Sequence, residues 1–289
     1  MRLVKLIVFL ALWPAFFALA GLRHLQARIQ GPNRRWRLVS EVTRNFCSVL
    51  TSLFKIRITI QGDHRGLKSR SHLIISNHLG YLDGVVLGSI FPLIFVSKKE
   101  VRRWPILGQW NALSGTVFID REHKVKIPLL IDEIESRLEQ GANVLLFPEG
   151  TSSNGERLLP FQPVPFAAPL RIAAPIVPIT LTYTSVNQQP VSKLNRDLIY
   201  WYGDMDLVNH LWGLLALRGI GVTVRIHPPI ETSGFRNDSR NRKQLSSMCH
   251  SVIGAAGKHS ARPGLGASRP ALQLSDRDRP SELTSKRPR

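Results

Sequence analysis

The chain lacks the signatures of several large enzyme classes. No GxSxG elbow, Walker loop or HExxH pair occurs in it, so a serine hydrolase, a P-loop enzyme and a zincin each miss their defining residues. Cysteine is scarce: Cys47 and Cys249 lie far apart, with no CxxC and no metal-ligand spacing. That excludes a disulfide framework and fits a reducing compartment. Acidic side chains are also few, 20 Asp plus Glu against 39 Lys plus Arg, for a formal charge of +19. Such a surplus points to an anionic partner: nucleic acid, anionic lipid headgroups or phosphorylated small molecules. The basic residues lie in the amino-terminal region, the tail and loops rather than in a recognition module, so nucleic acid is not expected. No internal repeat is present, and 289 residues suffice for one large α/β domain with a real core.

Charge is absent altogether from Leu6 to Leu22, LIVFLALWPAFFALAGL, with Arg2 and Lys5 before it and Arg23, Arg28, Arg34, Arg35 and Arg37 after it. This is a membrane segment, and three readings of it stand. The basic start and Ala18-Leu19-Ala20 suit a signal peptide, but the arginines that follow resist translocation. The length is at the lower limit for a span. Pro14 would kink such a span without forbidding it. The third reading is a helix lying in or dipping into the interface. In the next segment, Val39, Val42, Phe46, Val49, Leu50 and Leu53 recur at helical spacing. That stripe fits either a core-packing helix or, after a greasy arginine-flanked helix, the second helix of a membrane anchor on the cytoplasmic leaflet. The anchor is the expectation, over residues 1–57.

Beyond it, β-like runs alternate with helical ones: 56–61, 73–76, 93–97, 116–119, 143–147, 176–183 and 222–227. Residues 124–140 carry Ile127, Leu130, Ile131, Ile134 and Leu138 on one face and stop at Gly141, as a helix does. The pattern predicts an α/β domain over 58–253, a sheet with helices packed on its faces. Pro178 inside a strand-like run argues for an edge or a bulge there. From Gly254 to Arg289 the chain is rich in Gly, Pro, Ser and charge, and is expected to be a disordered basic tail.

Four stretches carry chemistry. In NHLGYLD (77–83), His78 follows a strand and Asp83 falls where a helix begins, so the carboxylate can reach back to the ring. An imidazole held in one tautomer by a carboxylate is a general base, although a lone HxxxxD is a weak signal. GTVFIDRE (115–122) sets Arg121 directly after a strand, as a solvated loop residue or a phosphate clamp. FPEGTSSNG (147–155) forms either a polar turn or an anion nest, in which Glu149 accepts from a substrate hydroxyl or fixes Arg121. IVPIT (176–180) reads as structural. With no serine nucleophile in evidence, a His–Asp pair makes sense if the substrate supplies the hydroxyl.

These four stretches, in this order and spacing, resemble the motifs of the glycerolipid acyltransferases, most like the bacterial 1-acyl-sn-glycerol-3-phosphate branch. Residues 96–110 and 200–215 resemble that branch too, and the likeness spans about residues 1–232. Gly80 departs from the pattern, standing where the family commonly has serine. The resemblance implies a glycerol-3-phosphate acyltransferase-like α/β fold. It also implies acyl transfer from acyl-CoA or acyl carrier protein to a lysophospholipid, most simply lysophosphatidic acid to phosphatidic acid, with lyso-ornithine lipid as the other acceptor. It makes His78 and Asp83 the catalytic pair, has Arg121, Glu149, Gly150 and Thr151 bind substrate, and needs no cofactor or metal. It places the protein on the cytoplasmic face of the inner membrane. A membrane-surface lipid-binding protein without turnover, and a chelator-sensitive metal hydrolase using His78 and Asp83, are the rivals of another class.

Overall fold

The computed structural model describes residues 2–31, 35–68, 70–120 and 124–260. Two helices open the chain, α1 (Arg2–Gln30) and α2 (Arg35–Leu53), followed by β1 (Ile56–Gln61), β2 (Leu73–Ser76) and α3 (Tyr81–Ile90). Then come β3 (Leu93–Lys98), α4 (Leu107–Leu113), β4 (Val117–Ile119), α5 (Ile127–Glu139) and β5 (Asn143–Leu146). The rest is α6 (Ala167–Arg171), β6 (Ile176–Val186), β7 (Gln189–Pro190), α7 (Leu207–Leu215), β8 (Ile220–Ile226) and α8 (Ser239–Ser260).

The strands form one mixed sheet in the order β1-β8-β6-β2-β5-β3-β4, with β7 paired to β6. β2 runs parallel to both β5 and β6, and β3 runs parallel to β5 and β4, so these strands end on one edge. β8 pairs antiparallel with β6 and parallel with β1. Because helices cover both faces, the central strands are apolar on both sides, which is why they read as unbroken hydrophobic runs. Ile74 and Leu145 face the cluster that includes Phe46, Leu82 and Val86. Leu73, Ile75 and Val144 face the opposite cluster, with Ile134, Leu138, Phe166 and Cys249.

The structure bears on three of these expectations. Most of the apolar stripe of α2 is covered by protein: Val39, Val42, Phe46 and Leu50 are buried while Val49 stays exposed, and Val42, Phe46 and Leu50 join the core shared with α1 and α3. The apolar surface left facing outward is on α1, where only 22% of the most apolar window is buried and Leu3, Val4, Ile7, Leu10 and Leu22 are exposed. α1 is long and apolar enough to cross a membrane, and its inward side docks through Trp13, Phe16 and Ala20. Helical periodicity reveals that a face must be covered but not by what. Second, Pro178 sits not at an edge but inside the sheet, where the pairing of β6 with the chain after β8 slips by one residue. It faces Ile75 in β2, and on its other side the His227 N–H donates to its carbonyl at 3.0 Å just past the last β6–β8 pair, Ile179 with Ile226. Beyond it the ladder resumes at Ile176 with Ile230, one residue out of the β6–β8 register, so the missing N–H falls at an irregularity, and a second irregularity in β6 lies at Tyr183–Ser185. Third, α8 continues through Gly254 to Ser260 because Ile253 and Ala256 bury themselves against the domain. The remainder of the expected tail, 261–289, lies outside the described residues.

Candidate active site

β2 ends on the carboxyl edge of the sheet, beside the end of β5, the edge where open α/β sheets build sites. Asn77 extends the ladder by side chain: its Nδ2 donates to the Leu181 carbonyl at 3.0 Å and its Oδ1 accepts from the Leu181 N–H at 2.8 Å. This amide clips the start of the turn to β6. The His78 backbone is then clamped by the loop after β5. Its N–H donates to Glu149 Oε1 at 2.7 Å, and its carbonyl accepts from the Ser153 N–H at 3.0 Å. The His78 ring stacks on Phe147 with centroids 4.1 Å apart and planes 12° from parallel.

The ring's Nδ1 lies 2.9 Å from Asp83 Oδ2. Asp83 is fully buried in the first turn of α3, whose unpaired N–H groups favour a negative charge. Its Oδ2 also accepts from the backbone N–H groups of Leu79 at 2.5 Å and Gly80 at 2.9 Å, and Oδ1 accepts from the Tyr183 hydroxyl at 3.0 Å. Burial, reinforced by the nearby Asp83 charge, holds the Tyr183 phenol well above its ordinary range, so Tyr183 is a neutral donor. Burial likewise pushes Tyr200, which packs on Tyr183, up to about 12. An acceptor at Nδ1 leaves the lone pair of the neutral ring on Nε2, and the His78 side chain keeps 22% of its surface. The arrangement can accept a proton from a bound hydroxyl.

Gly80 is shaped by its neighbour. A Cβ there would meet the Trp201 backbone nitrogen at 2.7 Å, because the Trp201 N–H donates to the Leu79 carbonyl at 2.9 Å. Close packing, rather than an unusual φ, excludes a side chain. Next to it, the Tyr81 hydroxyl lies 2.8 Å from His210 Nδ1, fastening α3 to α7.

Glu149 differs from the expectation of a group facing substrate. It is 6% exposed, and each carboxylate oxygen takes a backbone N–H, Oε1 from His78 and Oε2 from Leu159 at 2.9 Å. Burial raises its carboxyl above the usual glutamate range, with the two backbone bonds pulling the other way. Gly150 has φ 75°, and its N–H closes a turn on the Phe147 carbonyl at 3.0 Å, so this donor is committed within the loop. Thr151 is exposed on the same loop. Arg121 lies outside the described residues; just before it, Asp120 pairs with Lys99 at 2.9 Å and Lys126 at 3.0 Å. IVPIT is buried within β6. His78 is thus in direct contact with both Asp83 and Glu149, with Gly150 and Thr151 on the adjoining loop. The residues missed from sequence are Asn77, Phe147 and Tyr183. Phe147 lay within a flagged stretch, whereas Tyr183 is 100 positions from the carboxylate it touches, with no local signal. Among the described residues, no group of three or more His, Cys, Asp or Glu side chains is placed to hold a metal ion.

Comparison with known proteins bears on this geometry. The family model described as Acyltransferase matches residues 57–182, which contain all four motifs. A lyso-ornithine lipid O-acyltransferase of Brucella abortus is 36% identical over 70% of this chain and 76% of its own length. A 1-acyl-sn-glycerol-3-phosphate acyltransferase of Escherichia coli is 27% identical over 71% and 74% respectively. The crystal structure of the 1-acyl-sn-glycerophosphate acyltransferase of Thermotoga maritima superposes with a TM-score of 0.59 at 19% identity, covering 90% of this chain and 100% of that one. It shares the fold: a mixed sheet flanked by helices. The motif order, the sheet edge on which the motifs gather and the similarity across most of the chain agree, and the chain belongs to the acyltransferase family.

Proposed function

We propose that this enzyme moves a fatty acyl group from a thioester, acyl-CoA or acyl carrier protein, to the free hydroxyl of a lysolipid at the membrane surface. One observation carries the reading: His78 Nδ1 is 2.9 Å from a fully buried carboxylate while the ring stays partly open. Nε2 takes the acceptor's hydroxyl proton as the oxygen attacks the thioester carbonyl. The tetrahedral adduct collapses, the C–S bond breaks, and the thiolate leaves with the proton that His78 held. Asp83 orients the ring and stabilises the imidazolium between the two steps. No cofactor or metal enters this scheme. Arg121 holds the acceptor headgroup, its guanidinium meeting a phosphate or a carboxylate with its paired donors, and Gly150 and Thr151 shape the pocket around it. Glu149 shapes that pocket by fixing the loop to the His78 turn.

The motifs alone favour lysophosphatidic acid. Over nearly equal lengths, however, identity is 36% to a lyso-ornithine lipid enzyme and 27% to a lysophosphatidic acid enzyme. That difference moves lyso-ornithine lipid to the front, with lysophosphatidic acid as the second reading. The outward apolar face of α1 sits in the bilayer, and the basic surplus faces anionic lipid on the cytoplasmic side of the inner membrane. Purified protein in detergent, given each labelled donor with each lysolipid, tests this. Product is expected fastest with lyso-ornithine lipid. His78→Ala is expected to lower turnover by roughly 10² to 10⁴ with an unchanged melting temperature. Full turnover by that variant would reject the base.

A further inference from the structure

We propose that Tyr183 is a positioning residue for the reaction, the third member of a His78–Asp83–Tyr183 relay in which its hydroxyl sets how much negative charge Asp83 presents to the imidazole. This inference rests on His78 being the base. Asp83 Oδ2 is fully engaged, by the His78 ring and two backbone N–H groups, all from its own turn. Among the described residues, Oδ1 accepts from a single side chain, Tyr183, which comes from β6. The backbone donors are present whatever the side chains. Among the described residues, the phenol is the one donor to this carboxylate that a substitution on another element can alter. Tyr183 is 3% exposed and packs on Tyr200, so the hydroxyl cannot turn to solvent. A buried donor that stays neutral draws charge toward Oδ1 and away from the oxygen facing His78.

The consequence has a sign. Without the hydroxyl, more of the charge faces Nδ1, the imidazolium is held more firmly, and the ring keeps its proton to higher pH. The acidic limb of the pH–rate profile of kcat/KM therefore moves up. Oδ1 is also left buried without that partner, which loosens the ring's orientation and lowers the rate.

The test is the pH–rate profile of full-length Tyr183→Phe, which keeps the ring and removes one oxygen. The expected result is a fall in kcat/KM of about ten-fold with the acidic limb displaced upward. A limb that stays where the wild type has it, whatever the rate, would show that the hydroxyl serves packing alone and would overturn the proposal. Should the Phe variant not fold, 3-fluorotyrosine at position 183 carries the test: the oxygen remains, the phenol donates more strongly, and the limb moves down. An unmoved limb there is equally fatal. His78→Ala separates this inference from the reading beneath it. If that variant is active, the base is wrong; if it is silent and the limb of the Tyr183 variants does not move, only the relay is wrong.

Discussion

Two buried carboxylates flank His78, and they hold different parts of it. Asp83, from the first turn of α3, holds the ring through Nδ1. Glu149, from the loop after β5, holds the backbone through the His78 N–H. Among the described residues, Asp83 collects four donors and Glu149 two. A ring held by one carboxyl group and a backbone held by another can be fixed within a fraction of an ångström although the segment between them is a turn, and such fixing is what general-base chemistry requires. In the proposed mechanism the two contacts differ in kind. Only the carboxylate on the ring meets charge that appears and disappears during the reaction; the other meets an amide that never changes.

Asp83→Asn attacks the distinction where the effect is largest. The amide places an N–H₂ among donors that need an acceptor, or offers its oxygen to fewer of them, so the ring loses its tautomer as well as its anchor. We expect a loss of turnover of roughly 10² or more, with binding of the acceptor much less affected. Because base and partner act as a unit, His78→Ala combined with Asp83→Asn is expected to be little worse than His78→Ala alone. Multiplicative losses, measured under one set of conditions, would mean that Asp83 does something apart from serving His78.

Gly80→Ser sharpens the same side of the comparison with a smaller effect. Serine is the residue that the family pattern would place here, yet its Cβ would meet the Trp201 backbone nitrogen at 2.7 Å. Backbone does not yield as a flexible side chain does, so the 80–83 turn must shift and stretch the Gly80 N–H bond to Asp83. The expected cost is about 1–3 kcal/mol of stability with a several-fold fall in turnover. A variant that melts with the wild type would show that the Trp201 segment moves aside freely.

Much of this was legible in the chain. The strands at 56–61 and 73–76 stand where the apolar runs placed them, and the helix expected over 124–140 forms as α5 from Ile127 to Glu139 after one tighter turn. His78 and Asp83 meet because a strand-to-helix turn brings positions five apart together, which is local geometry. What stayed hidden was non-local. Tyr183 reaches Asp83, and Asn77 reaches Leu181, only because β6 pairs beside β2. Whether α2's stripe meets lipid or protein depends on where α3 packs, and no periodicity contains that. Glu149 was flagged for its loop, but its bonds from the His78 and Leu159 N–H groups stayed hidden, since a glutamate in a polar turn looks alike whether it faces substrate or backbone N–H groups.

The smallest expected effect concerns that glutamate. Burial raises its carboxyl in the folded protein above the ordinary 4.5, so the folded chain binds this proton more tightly than the unfolded chain does. The stability that Glu149 contributes is therefore fully present below the ordinary value and is lost as pH rises through the raised one. Glu149→Gln removes the titration and weakens one of the two backbone ties, a difference of about 1 kcal/mol. In thermal unfolding from acid to neutral pH, the stability of the wild type relative to this variant is expected to decline as pH climbs. A difference that instead grows with pH would mean that the bonds from His78 and Leu159 outweigh burial. Glu149 would then be a preferred anion, and the contrast between a working charge and a structural tie would have to be redrawn.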